Sequence, residues 1–276
     1  MDCRASIQNL RSKILMIDLH SHILYNMDDG ALTLAESLAM ARMAAADGVR
    51  VVAATPHSPG SSGCRHYDLA LIRARLGEIN AALAAEQIAL ELVAGTEICY
   101  DSDVLERLKR GELLTYGQSR TILLELSHNT LPALLENMLF NVQVAGYRVV
   151  LAHPERIVEV QQDPNRLLPL IERGVLMQIT AAALLGEQGQ RLQSAAETLL
   201  THGMAHILAS DTHGLPPRRP PLLAAARDRA ATLIGEAAAT ALVDSNPSAV
   251  LYGQHFRLAP PRAVTQQHGW LRRRGG

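Results

Sequence analysis

The sequence predicts an α/β fold built on a parallel sheet. Two observations lead there: seven short aliphatic runs alternate with helical stretches, and those runs are apolar on consecutive residues, as strands covered on both faces must be. A third narrows the class, because seven β-then-α units in one chain point to closure into a barrel, with an open doubly wound sheet as the alternative.

The runs are Met16–His20, Arg50–Ala54, Leu90–Ala94, Thr121–Glu125, Arg148–Ala152, Val175–Ile179 and His206–Ser210. Between the first two, Thr33 and Glu36 form a T-x-x-E capping box that opens a helix ending at Asp47, before Gly48. Further helices are expected over Asp68–Glu86, Ser102–Arg110, Pro132–Ala145, Pro164–Arg173 and Arg191–His202. Several are followed by glycine, the residue that tolerates the left-handed end of a helix. Pro59–Gly63 and Leu215–Pro221 read as loops. No linker or composition shift divides the chain, so one domain is expected over residues 16–252, with an N-terminal extension (1–15) and a C-terminal tail (253–276).

Composition removes several function classes. The 276 residues carry 26 Lys plus Arg against 27 Asp plus Glu, a formal charge of -1, so no overall basic field attracts nucleic acid or an anionic membrane. Aromatic residues are 3%, too few for stacking platforms that bind single strands. No apolar run approaches a membrane span and residues 1–15 lack a signal-peptide h-region, so the chain reads as soluble and cytoplasmic. Cys3, Cys64 and Cys99 form no C-x-x-C pair, and none has Arg six positions later. Neither a disulfide framework nor a thiol phosphatase loop is therefore expected. Dinucleotide, P-loop and serine-hydrolase motifs are likewise absent.

The 11 histidines are the unusual component. Parallel β/α architectures gather function at the carboxyl ends of their strands, and here six of the seven runs end in metal-capable side chains. His20 and His22 follow the first; at i and i+2 in extended chain they point to one side, about 6.5 to 7 Å apart along the backbone. His57 follows the second, Glu97 the third, Glu125 ends the fourth, His153 follows the fifth, and Asp211 and His213 follow the seventh. A single His or Glu after a strand is commonly a cap or a solvated group, but converging together they need something to bind. Imidazole and carboxylate without thiolate suit zinc, iron or manganese. Asp28-Asp29-Gly30 alone is an ordinary turn; beside His20-Ser21-His22 it offers a further carboxylate. Arg156, Arg218 and Arg219 put guanidinium forks, which match phosphate oxygens, on the same face. His66, His128, His202, His206, His255 and His268 lack such a context and read as structural or surface residues, as does the Arg272–Arg274 run.

Taken in order, Asp18-Leu19-His20-Ser21-His22, Asp28-Asp29-Gly30, Thr55-Pro56-His57, Gly95-Thr96-Glu97, Leu124-Glu125-Leu126, Ala152-His153-Pro154-Glu155-Arg156 and Ser210-Asp211-Thr212-His213 resemble the polymerase-and-histidinol-phosphatase (PHP) superfamily. Within it, the Asp-Asp-Gly and His-Pro-Glu-Arg elements and Gln178–Ala181 are similar to the bacterial tyrosine phosphatases of capsule and exopolysaccharide operons. The resemblance covers residues 16–252. It implies a distorted seven-unit (β/α) barrel of PHP type holding three divalent ions, often manganese. His20, His22 and Asp211 would bind one ion, Glu125 and His153 a second, with Glu97 bridging the two, and Asp29, His57 and His213 a third. Arg156 and either Arg218 or Arg219 would bind phosphate. The implied substrate is protein phosphotyrosine, on the tail of a membrane-associated tyrosine autokinase controlling polysaccharide assembly. Two other readings are a phosphoesterase acting on a small ester, such as a sugar or histidinol phosphate, and a metal-stabilised regulatory module without activity. Leu126 stands where an aromatic residue is common in that branch, and His128 follows it.

Overall fold

Residues 15–254 and 259–265 are described by a computed structural model. Cys3, His255, His268, Arg272–Arg274 and nearly all of the expected N-terminal extension lie outside them.

Eight strands form among the described residues, all paired in parallel. They are β1 (Met16–Ser21), β2 (Val49–Ala54), β3 (Glu91–Ala94), β4 (Glu97–Cys99), β5 (Thr121–Glu125), β6 (Arg148–Ala152), β7 (Leu176–Thr180) and β8 (Ile207–Ala209). The seven expected strands are all present, with ends shifted by one residue in places. The addition is β4, only three residues long and separated from β3 by Gly95 and Thr96. A run that short carries no periodicity, so Glu97, expected in a loop, in fact opens a strand.

The strands divide into a three-stranded sheet, β1-β2-β3, and a five-stranded sheet, β4-β5-β6-β7-β8. Single bridges lie across both gaps between them, Ser21 with Thr212 and His57 with Glu97. At the first gap Asp211 N donates to His20 O (2.9 Å) and His22 N to Thr212 O (3.0 Å). Buried Asp18 on β1 reinforces this junction: its carboxylate accepts from Ser210 N (3.0 Å) and Ser210 Oγ (2.5 Å). Two apolar clusters explain the unbroken hydrophobic runs. Ile17, Leu19, Ala53, Leu123, Val150 and Ile207, drawn from both sheets, pack on one another, while alternate residues such as Val52, Leu124, Val149 and Leu208 pack in the second, larger cluster with helical residues. Every strand but the three-residue β4 therefore carries apolar residues into both clusters.

Helices Leu34–Asp47 and Leu69–Ala85 start where their capping residues predict: Thr33 Oγ1 accepts from Glu36 N (3.2 Å) and Asp68 Oδ1 from Leu71 N (2.8 Å). The expected helices over Ser102–Arg110, Pro132–Ala145 and Arg191–His202 form as Val104–Lys109, Leu135–Val144 and Gln190–Thr201. The stretch expected over Pro164–Arg173 is instead a 3-10 turn, Pro164–Leu167, running into a short helix, Leu168–Glu172, because Pro169 has no N–H for a continuous ladder. Short helices Val158–Gln162 and Ala181–Leu184, and helices Ala224–Ile234, Glu236–Ala241 and Ser245–Leu251, complete the described fold. Part of the expected tail is docked: Arg262 N donates to His202 O (2.8 Å) and Val264 N to Asn165 Oδ1 (2.7 Å).

His206, immediately before β8, is buried and its Nδ1 accepts the N–H of Met177 (2.9 Å), while Nε2 has no partner among the described residues. Burial pushes its imidazole down to about 4, against an ordinary value near 6.5. The unfolded chain then binds the extra proton between those two values, so this contribution to stability is complete above about pH 6.5 and is lost as pH falls toward 4. Replacing His206 by Gln should shrink the stability difference between pH 7.5 and pH 5 by about 2 kcal/mol. Denaturant titrations of parent and variant at both pH values measure it; equal pH dependence in the two would refute the assignment.

Candidate metal centre

At the carboxyl ends of the strands, nine side chains converge: His20, His22, Asp29, His57, Glu97, Glu125, His153, Asp211 and His213. Glu97, at the start of β4, is the hub. Its Oε1 lies 3.2 Å from His20 Nε2 and 2.9 Å from His153 Nε2; its Oε2 lies 3.3 Å from His22 Nε2 and 3.0 Å from His57 Nδ1. Asp211 Oδ1 faces His20 Nε2 at 3.3 Å and His22 Nε2 at 3.4 Å. Asp29 Oδ1 is 3.3 Å from His213 Nε2 and 3.6 Å from His57 Nε2. Glu125 reaches His57 Nδ1 at 3.5 Å and His153 Nε2 at 4.0 Å.

Within this cluster the ligand atoms of His20, His22 and Asp211 lie within 4.8 Å of one another, as do those of His22, Asp29, His57 and His213. Glu97 belongs to two more such groups, one with His20 and His153 and one with His57 and Glu125. A fifth joins Glu125 and His153 to His128, for which the sequence alone gives a structural or surface reading. The available signal for His128 was its place three residues beyond Glu125.

The sequence pattern explains the convergence. In β1 and its continuation His20 and His22 do share a side, and their Nε2 atoms are 3.3 Å apart. Two buried residues aim them: His20 Nδ1 donates to Gln178 Oε1 on β7 (2.8 Å) and His22 Nδ1 donates to Asp28 Oδ2 (2.8 Å). Both rings thus present Nε2 to the centre. Asp28 also accepts from Gly30 N (2.9 Å) and His57 N (3.1 Å), so the two acids of Asp28-Asp29-Gly30 divide the work, one supporting and one facing the cluster. The supporting role of Asp28 is invisible in sequence, because adjacent Asp residues look alike. His153 (φ 34°) and Asp211 (φ 50°) adopt left-handed backbone, a conformation that costs a side-chain-bearing residue energy and gathers at functional sites.

The donor set fits divalent cations. Glu97 Oε2 is buried and no donor meets it at a hydrogen-bonding angle, and two imidazole nitrogens face each other with carboxylates on either side. Such a group of lone pairs is satisfied by positive charge at its centre. The electrostatics agree: burial works against ionisation of Glu97, yet the surrounding imidazoles, His20 first, hold it well below the usual carboxylate range. Burial also opposes ionised Asp211, but Arg156 and His20 keep it low. Burial, with Arg156 beside it, pushes His153 down to about 4, leaving the neutral imidazole a metal requires. His57 goes the other way, to about 10, because Glu125 and Glu97 outweigh its burial.

The three predicted arginines separate. Arg156, on the 3-10 turn Pro154–Arg156, reaches Asp211 Oδ2 (2.5 Å). Arg219 donates from Nε to Asp211 O (2.9 Å), with Nη2 3.4 Å from Asp211 Oδ2 and 2.6 Å from His213 Nδ1. Arg218 is directed to the other side of the loop, bonding to the backbone oxygens of Asp29 and Gly30 and pairing with Glu36 (3.3 Å). Only Arg156 and Arg219 of the three stand against the ligand cluster.

Residues 16–252 match the family model described as capsular polysaccharide synthesis, CpsB/CapC. The chain belongs to the CpsB/CapC family. It is 36% identical over 203 residues to the tyrosine-protein phosphatase YwqE of Bacillus subtilis, covering 74% of this chain and 79% of the relative. With the tyrosine-protein phosphatase CpsB of Streptococcus pneumoniae it shares 32% identity over 247 residues, 87% of this chain and 99% of the relative. Among solved structures, one from a study of YwqE and CpsB as metal-dependent tyrosine phosphatases superposes with a TM-score of 0.85 at 32% identity, over 91% of this chain and 100% of the other. A phosphotriesterase homology protein of Escherichia coli, at 12% identity and a TM-score of 0.57, covering 87% of this chain and 99% of the other, shares the fold alone.

The supporting carboxylate gives a test within this family frame. Asp28→Asn keeps the shape but weakens the grip on the His22 tautomer, so affinity for the bound ions should fall by roughly 10- to 100-fold. Elemental analysis after graded chelation measures it, with His20→Ala plus His22→Ala as the complete-loss reference. A folded double variant that kept its full metal content would remove these histidines from the centre.

Proposed function

We propose that this CpsB/CapC family member is a metal-dependent protein tyrosine phosphatase, a phosphoric monoester hydrolase. The observation that carries the reading is the convergence of nine imidazole and carboxylate ligands from separate strand ends, with two guanidinium groups at their edge. His20, His22 and Asp211 would hold one divalent ion, Asp29, His57 and His213 another, and Glu125 with His153 a third, with Glu97 between the first and third. We take the number as three and the metal as manganese, with iron and zinc as the other candidates. When bound, such ions lower the pKa of water toward neutrality and offset charge on phosphoryl oxygens.

This chain's own residues perform the remaining tasks. Gln178 and Asp28 hold the imidazoles of His20 and His22 in one tautomer. Arg156 and Arg219 offer N–H donors to the equatorial oxygens of the phosphoryl group as charge accumulates there. A phenol leaves with a pKa near 10, well below that of an alkyl alcohol, so phosphotyrosine asks less of any proton donor than phosphoserine does. Among the described residues Cys64 and Cys99 are free, and burial pushes both thiols above their ordinary range, the wrong direction for a nucleophile.

We read the two sheets as one distorted seven-unit barrel, in which β3 and β4 make a single kinked unit; the bridges at both gaps support this. No described helix is long and apolar enough to cross a membrane. We take the protein to act in the cytoplasm on a phosphotyrosine protein, the tail of a membrane-associated tyrosine autokinase that governs polysaccharide assembly.

Hydrolysis of a phosphotyrosyl peptide should require manganese and stop on chelation, and should exceed that of histidinol phosphate or sugar phosphates under the same conditions. Preference for a small ester would turn the reading toward a metabolic phosphoesterase, and no turnover with metals bound toward a regulatory module. Arg156→Lys keeps the charge but loses the planar fork, and should cost roughly 10²-fold in kcat with metal content unchanged. Replacing Cys3, Cys64 and Cys99 together by Ser should leave turnover largely intact; its loss in a folded, metal-loaded triple variant would bring cysteine chemistry back.

A further inference from the structure

β6, β7 and β8 are neighbours in the five-stranded sheet, so the connections leaving their carboxyl ends are neighbours too. Arg156 follows β6 and Arg219 follows β8. The connection after β7 passes through a short helix, Ala181–Leu184, into a tight turn over residues 186–189. Gly189 N donates to Gly186 O across that turn (3.0 Å). Both glycines are left-handed, φ 79° and 96°, and a Cβ on Gly186 would come 2.9 Å from Gln193 Oε1. The turn is therefore specified by its glycines, and it carries Gln188 to a place between the two arginines.

With its carboxamide assigned so that the oxygen faces these donors, Gln188 accepts from Arg156 Nη2 at 3.3 Å and from Arg219 Nη1 at 3.2 Å. Both neighbours are donors, so the oxygen, not the nitrogen, faces them. Asp211 Oδ2 lies on both guanidinium groups as well, at 2.5 Å from Arg156 and 3.4 Å from Arg219. Two like charges, with side chains only 12% and 26% exposed, are thus held together by two shared acceptors. One acceptor is a metal-facing carboxylate and the other is a neutral amide.

We propose that Gln188 is a positioning residue that holds Arg156 and Arg219 as one anion-binding pair. Being neutral, it fixes the two forks without cancelling the charge that a phosphoryl dianion requires. The inference rests on the reading of these arginines as the phosphate site, and it assigns a specific task to a connection that the metal chemistry leaves unused.

Three variants separate the possibilities, each read by inhibition with inorganic phosphate, by KM and kcat on a phosphotyrosyl peptide, and by metal content. Gln188→Met keeps length and packing but removes the acceptor; phosphate inhibition should weaken and kcat should fall, each about 5- to 10-fold, because the displaced forks serve the charge that builds on the phosphoryl oxygens. Gln188→Glu keeps the acceptor but adds charge, so it should pair with both forks, compete with phosphate and weaken inhibition further than Gln188→Met does. Metal content should match the parent in both. Arg156→Ala is the reference. If Arg156→Ala weakens phosphate inhibition and Gln188→Met does not, the proposal is overturned and the arginine reading stands. If Gln188→Met and Gln188→Glu behave alike, the effect is packing and the proposal is again overturned. If Arg156→Ala itself retains parental inhibition, the phosphate site lies elsewhere and the proposal falls with that reading.

Discussion

A carboxylate shut away from water, Glu97, is surrounded by four imidazoles, two at each oxygen. Burying an ionised group without compensation costs several kcal/mol. Here the compensation comes from several directions at once, and the neighbouring carboxylate Asp211 needs the same treatment. Groups that would repel or remain unsatisfied in pairs become favourable when positive charge sits among them. Much of the surrounding architecture serves to bring these side chains into one small volume and keep them there.

That demand reaches into the backbone. β4 consists of three residues, too few to contribute much sheet stability, but its first residue is Glu97, and the bridge from His57 seats it opposite another ligand candidate. Asp18 joins β1 to the end of β8 through Ser210, setting His20 beside Asp211 although 191 positions separate them in sequence. The left-handed backbone at His153 and Asp211 is strain accepted for aim. Gln178 and Asp28 complete the support by occupying the outer nitrogens of His20 and His22, so the inner nitrogens have one orientation available.

The rim follows a different logic. Guanidinium groups do not need burial with ligands, yet Arg156 and Arg219 are drawn in by the same Asp211 that faces His20 and His22. One carboxylate therefore faces metal-type ligands with one oxygen and phosphate-type donors with the other. This links the two halves of the site: a change in Asp211 would disturb both, whereas a change at Gln188 touches the arginines alone.

The sequence by itself determined the alternation of strand and helix, the strand ends as the functional face, and eight of the nine ligand candidates, because strand periodicity and side-chain type are local properties; the ninth, Asp29 and not Asp28, was named only by the family resemblance. It also separated a metal site from cysteine chemistry by the spacing of three thiols. What only the tertiary structure decided depends on distances between residues far apart in the chain. Glu97 became the hub when a three-residue strand too short to read brought it opposite His57. Asp28 and Asp29 took different roles when one met His22 and the other met His213. Arg219, not Arg218, met the cluster because adjacent side chains on the loop after β8 diverge to opposite sides. Gln188, with no motif around it, gained its partners only from the order β6-β7-β8, which places the turn after β7 between the loops carrying the two arginines.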